Sequence, residues 1–142
     1  MFGASQTAEW AGWWVSTPRG GSISTASISG NTYRIHTFTN NGSFYVANLV
    51  PSTTQYYLVG GGGGGGRSGG GGGGGEVATG NVIVATTTSY PVVIGAGGAN
   101  GLSNVIANNT ANNGSSSSVF GITAIGGGGA GSAIYDGANG AS

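Results

Sequence analysis

The chain has 142 residues, enough for one domain with a modest core. Only 4% of its residues are charged (Glu9, Arg19, Arg34, Arg67, Glu76 and Asp136), and the formal net charge is zero. Nucleic-acid binding by phosphate neutralisation needs clustered cations, and adhesion to anionic lipid needs a polybasic patch, so both are excluded as expectations. The polar surface must be Ser, Thr, Asn and bare peptide groups, which offer hydrogen bonds without charge.

There is no cysteine, hence no disulfide or thiolate metal site, and the redox compartment is left open. The N-terminus has neither a basic n-region nor an apolar h-region, so no signal peptide is expected. No apolar run approaches the ~20 residues of a membrane span. Synthesis in the cytosol is the expectation, which leaves open where the product acts. Because 37% of residues are hydrophobic and the β-branched ones cluster in strand-length runs, a folded chain is expected.

Residues 1–21 read as a segment of their own, with Trp10, Trp13 and Trp14 within five positions. They either plug the domain's own open end or dock into a partner or second subunit, since tryptophan is enriched in interface hot spots. Residues 22–142 read as a glycine-rich β domain. Ser22 to Ile28 is a weak strand. Tyr33 to Phe38 alternates, with Tyr33, Ile35 and Thr37 on one face and Arg34, His36 and Phe38 on the other. Asn40-Asn41-Gly42 has the chemistry of a hairpin turn, and predicts that this strand pairs with the next, Ser43 to Leu49. Gln55 to Val59 is a third strand.

The chain is then dominated by residues 60–75: seven glycines, Arg67-Ser68, and seven more glycines. Each ordered glycine costs roughly 0.5–1 kcal/mol more than alanine, so this tract is either disordered or packed closely enough to offset that cost. A flexible linker joins domains that fold separately, and the two flanks look too small for that. The alternative is polyglycine II, an extended helix with three residues per turn, in which seven residues span roughly 22 Å. Equal run lengths favour antiparallel packing, with Arg67-Ser68 at the turn and Glu76 at the exit. Every third glycine, Gly60, Gly63, Gly66, Gly69, Gly72 and Gly75, is the expected packed core.

Beyond the tract, Asn81 to Thr87, Pro91 to Ile94 and Val119 to Ile125 read as strands. Residues 99–118 are either a long surface loop or two weak strands joined by a turn at Asn113-Gly114. A β-branched run passes into glycine three times, at Gly60, Gly95 and Gly126, about 35 and 31 residues apart. The intervening sequence does not repeat, which points to a layered architecture and not a solenoid. The expected fold is all-β, with antiparallel hairpins framing packed polyglycine II helices and little or no α-helix.

Chemistry has little to work with. The glycine run satisfies G-x-G-x-x-G, as any polyglycine must, and with Arg67-Ser68 it resembles a P-loop. Both motifs need a helix to follow, and more glycine follows instead. His36 is the only histidine, and Glu9, Glu76 and Asp136 lie in unrelated segments, so neither acid/base catalysis nor a metal site is expected. Neither a catalytic residue nor a cofactor is assigned. Three glycosylation sequons, at Asn41, Asn108 and Asn113, are coincidence in an Asn/Ser-rich chain without a secretory signal.

Tyr33 to Val46 (YRIHTFTNNGSFYV), Tyr57 to Glu76, Tyr90 to Gly98 (YPVVIGAGG) and Ile122 to Gly131 (ITAIGGGGAG) together resemble the glycine-rich domain of bacteriophage tail fibres and adhesins. The resemblance covers about three quarters of the chain, and the Trp-rich start matches no part of it. It implies stacked polyglycine II helices in a β frame, in a non-enzymatic virion protein, commonly a homotrimer. Other virion proteins would be its partners; the assembly contacts expected of Trp10, Trp13 and Trp14 rest on tryptophan's enrichment at interfaces and not on the resemblance. It also implies receptor contact, with host glycan or surface protein, by loops at the helix ends. Arg67, Ser68, Asn108, Asn109, Asn112 and Asn113 are the candidates here. The alternatives are a capsid decoration protein and a self-assembling extracellular filament subunit.

Overall fold

The computed structural model describes residues 2–7, 18–46, 51–66, 70–85, 88–101 and 111–131. These hold nine strands and no helix: β1 (Phe2–Thr7), β2 (Ser22–Ile28), β3 (Asn31–Phe38), β4 (Gly42–Val46), β5 (Ser52–Val59), β6 (Val77–Val84), β7 (Thr88–Val92), β8 (Ser117–Val119) and β9 (Ile122–Ala124). They form a five-stranded sheet in the order β2-β3-β1-β5-β6 and two strand pairs, β4-β7 and β8-β9, with antiparallel pairing throughout. The fold is all-β. The first strand belongs to the main sheet, lying between β3 and β5. Trp10, Trp13 and Trp14 lie outside the described residues.

The expected hairpin between β3 and β4 does not form. β3 pairs with β1 and β2, whereas β4 pairs with β7 in another sheet. A two-residue hairpin turn of the favoured type needs positive φ at both central residues. None of residues 39–42 has one, and the side chain of Asn41 instead accepts a hydrogen bond from Ile94 N at 2.7 Å. Residues 39–41 thus carry the chain from one sheet to the next. The hairpins lie elsewhere: Ser29 (φ 51°) and Gly30 (φ 82°) join β2 to β3, and Phe120 (φ 57°) and Gly121 (φ 77°) join β8 to β9. The second turn divides what reads in sequence as one strand from Val119 to Ile125.

The face of β3 carrying His36 and Phe38 is buried, and Tyr33, Ile35 and Thr37 on the other face are half-buried. The core joins Phe38, Leu58 and Val84 of the large sheet to Phe44, Val46 and Val92 of the β4-β7 pair and Val119 and Ala124 of the β8-β9 pair. Its aromatic rings meet edge to face: His36 on Phe44 at 5.0 Å, Phe44 on Phe120 at 5.9 Å and Phe120 on Tyr90 at 4.9 Å. His36 is fully buried and donates from Nδ1 to the Gly20 carbonyl at 2.8 Å, while Nε2 has no partner. Burial pushes its pKa below the usual value, opposed by the Gly20 bond and assisted by Arg34.

Three hairpins leave this core and run on into glycine without a break in register. β5 pairs with β6 up to Val59 opposite Val77, and the next bonds, Gly60 N to Glu76 O, Gly63 N to Gly73 O and Gly66 N to Gly70 O, keep the same alignment. The Val93–Ser118 bridge continues into Ser115 N to Ala96 O and Asn112 N to Ala99 O. β8 and β9 continue into Gly114 N to Gly127 O and Ala111 N to Ala130 O. Residues 111–116 are therefore an extended arm shared by two hairpins, and of the two readings of 99–118 the pair of strands turning at Asn113-Gly114 is not found.

Candidate functional site

The glycine-rich arms form five extended segments, 60–66, 70–76, 95–101, 111–116 and 125–131. In a β ladder, partners recur every two residues. Here they recur every three, so successive residues of one segment face different neighbours. Segment 60–66 is the centre. Its Gly60, Gly63 and Gly66 donate to 70–76, and its Gly61 and Gly64 donate to Ser115 and Asn112. Its Gly62 and Gly65 carbonyls accept from Gly98 and Gly101, and its Gly61 and Gly64 carbonyls accept from Gly127 and Ala130. The surrounding segments also bond to one another, through Gly73 N to Gly128 O, Gly114 N to Gly127 O and Asn112 N to Ala99 O. The hydrogen-bonding backbone groups of the central segment are thereby largely paired without forming a sheet.

This arrangement explains the glycines. A Cβ added at Gly60, Gly63 or Gly66 would run into the carbonyl oxygens of Ile125, Gly128 or Gly131, and one at Gly72 or Gly75 into those of Gly63 or Gly60. Five of the six glycines expected as packed core are therefore closed to any side chain, and Gly69 lies outside the described residues. Gly61 and Gly64 are closed as well, against Ala96 and Ala99. A three-residue count along one run misses them because the central segment has neighbours on several sides.

Two lattices of different period meet at the junction with the core, and side chains complete the bonds that the backbone cannot. Ser117, fully buried, accepts from Gly95 N at 2.9 Å and donates to Val59 O at 2.6 Å. Glu76, read in sequence only as the exit, accepts from Ile125 N at 2.8 Å through Oε2. Farther along the arms, away from the junction, Asn100 and Asn113 accept from Gly65 N and Gly129 N at 3.0 and 2.8 Å. No sequence signal marked Ser117, which is one of four consecutive serines.

At the end away from the core, the arms leave the block together. Gly66 N bonds Gly70 O at 2.8 Å, Gly101 N bonds Gly65 O at 3.0 Å, and Ala111 N bonds Ala130 O at 3.0 Å. The connections 67–69 and 102–110 thus spring from one end of the block. Arg67, Ser68, Asn108 and Asn109 belong to those connections and lie outside the described residues. Asn112 is exposed beside their base, while Asn113, next to it, spends its side chain on Gly129.

Among the described residues no group of His, Asp and Glu could hold a metal ion, and no helix is long and apolar enough to cross a membrane. Neither the curated proteins nor the solved structures contain a match to this chain. A family model described as a glycine-rich domain matches residues 37–142, from the end of β3 through all five segments. The chain belongs to the glycine-rich domain family.

Proposed function

We propose that the protein is a non-enzymatic structural subunit of a virus particle, of the bacteriophage tail-fibre or adhesin kind, and that it contributes to host attachment. In this reading the five segments are polyglycine II helices, and they serve as a stiff base for the loops at their far end. The observation that carries it is the common origin of the 67–69 and 102–110 connections, pinned at their bases by the Gly66–Gly70 and Gly101–Gly65 hydrogen bonds. A base without side chains loses little rotamer entropy when a partner binds, so loops held on it meet a surface already ordered. Because the chain carries almost no charge, recognition would run through Asn, Ser, Thr and peptide groups, which suits a glycan or an uncharged protein surface on the host. Trp10, Trp13 and Trp14 are proposed as contacts within a homotrimer or with other virion proteins.

Purified protein applied to host bacteria should bind them and block infection. Replacing Arg67 and Ser68 by glycine should weaken that binding and leave the thermal midpoint unchanged. No binding to cells, with hundreds of copies found over the particle's head, would favour a decoration protein instead.

A further inference from the structure

Among the described residues, one stretch of the chain has an outer side with no partner. β6 ends the order of the five-stranded sheet, so among the described residues no strand lies beyond it. Among the described residues its continuation backwards, 70–76, bonds only inward, to 60–66 and 125–131. From residue 70 to residue 84 one side of the backbone therefore presents N–H and C=O groups unpaired among the described residues. Sheet edges left open in monomers are normally guarded by charge, by proline, by a bulge or by shortness. β6 has none of these guards: it is eight residues long, reads VATGNVIV, and exposes Val77 by 50% and Ile83 by 72%.

The glycine half of the same edge carries an independent sign. Nothing lies within 4 Å of a Cβ added at Gly71 or Gly74, and neither residue has the left-handed φ that demands glycine. Packing within the chain does not require glycine there, although glycine is the entropically costly choice. On segment 95–101 three of the four exposed positions, 96, 99 and 100, carry Ala, Ala and Asn, and the fourth is Gly97. Bare backbone at 71 and 74 suits a neighbour approaching as closely as 125–131 approaches 60–66 on the inside.

We propose that the 70–84 edge is a homotypic docking surface, covered by the same edge of a second copy of this chain. Period selects the occupant. A partner lying along the whole edge must pair every second residue beside β6 and every third beside the glycines, changing at the same height. The other arms that change in this way meet one another inside the block, through Gly60, Gly95 and Gly126. The 70–84 stretch of a second copy, aligned parallel, changes in step and is exposed. The proposal rests on the reading of the protein as an assembling structural subunit, and it does not need the attachment role.

Sedimentation velocity on the intact chain over a range of concentrations tests it. The wild type should sediment as a multiple of the 13.6 kDa chain. The double variant Gly71→Val/Gly74→Val, which fits the free chain, should halve that mass, since a contact of one edge with itself joins two copies, with an unchanged thermal midpoint. Ile83→Lys, which puts a charge on β6 and touches no glycine, should do the same. A wild type that stays monomeric at every concentration overturns the proposal, as does an oligomer whose mass none of these substitutions alters. Cell binding is scored separately: a monomer that still binds host cells removes the docking surface and leaves the attachment reading standing, and an oligomer that binds no cell does the reverse.

Discussion

Ser117 Oγ donates to the carbonyl of Val59 at 2.6 Å, joining residues 58 apart in the chain at the height where strand pairing gives way to the glycine segments. The same oxygen accepts from Gly95 N, so one hydroxyl closes the junction between two hairpins. Ser117→Ala strands a carbonyl and an N–H in a site that Ser117 occupies with no exposure. A buried polar group left unpaired costs about 1–3 kcal/mol. The expected loss is of that size, a fall in Tm of roughly 5–10 °C by differential scanning calorimetry. An unchanged Tm would mean that water replaces the hydroxyl without cost.

How far such features can be read in advance depends on whether their cause is local. The three passages from β-branched residues into glycine are visible in the sequence, and they mark the junction. The equal glycine runs predict the antiparallel pairing of 60–66 with 70–76, because matched antiparallel segments need matched length. Alternation in β3 separates His36 and Phe38 from Tyr33 and Ile35. The partner of β3 is not visible. Asn40-Asn41-Gly42 has turn chemistry, yet Asn41 is engaged by Ile94, 53 positions away, and the paired strand comes from the other side, through Ser29-Gly30. β1 reads FGASQT and has no hydrophobic alternation, so its central place comes from neighbours on both sides. Ser117 is indistinguishable in sequence from the other three serines of its run.

The glycines divide into those the block requires and those it does not. An alanine at Gly63 would meet the Gly128 carbonyl, backbone that cannot turn aside, while an alanine at Gly62 would lie 3.7 Å from the Gly73 oxygen, an ordinary contact. Overpacking costs typically 1–3 kcal/mol, and more against fixed backbone. Gly→Ala at a compatible position stabilises by about 0.4–1 kcal/mol through the unfolded state. Gly63→Ala should therefore lower Tm by roughly 5–10 °C or abolish folding, and Gly62→Ala should hold or raise it. Equal effects in thermal unfolding would show that the period of three does not govern the packing.

His36 makes stability depend on pH in one direction. Its folded pKa lies below the usual 6.5, with burial the largest cause, because Nε2 has no partner for an added proton. The unfolded chain therefore binds a proton that the folded chain refuses. Its contribution is complete above the unfolded value and is lost as pH falls through the folded one. Tm should be level from about pH 7 to 8 and should decline below about pH 6, before most carboxylates titrate. His36→Gln should flatten that decline while lowering Tm overall. A wild-type Tm that stays level down to about pH 4 would refute the assignment.

Asn112 and Asn113 allow architecture and recognition to be separated at adjacent positions. Both asparagines are exposed, but Asn113 Oδ1 accepts from Gly129 N at 2.8 Å, whereas among the described residues Asn112 bonds only through its backbone, to Ala99 and Gly64. Asn113→Ala leaves the Gly129 N–H unpaired between packed segments, a loss of about 1–3 kcal/mol that should show directly in Tm. Asn112→Ala removes no hydrogen bond among the described residues and should leave Tm within about 1 °C, since exposed substitutions away from packed features fall within ±0.5 kcal/mol. Asn112 stands at the base of the loop-bearing end, so its loss should instead weaken adhesion of the purified protein to host cells. If Asn112→Ala binds cells as the wild type does and a destabilised Asn113→Ala also binds in full below its Tm, neither asparagine takes part in recognition, and attachment would have to rest on the 67–69 and 102–110 connections alone.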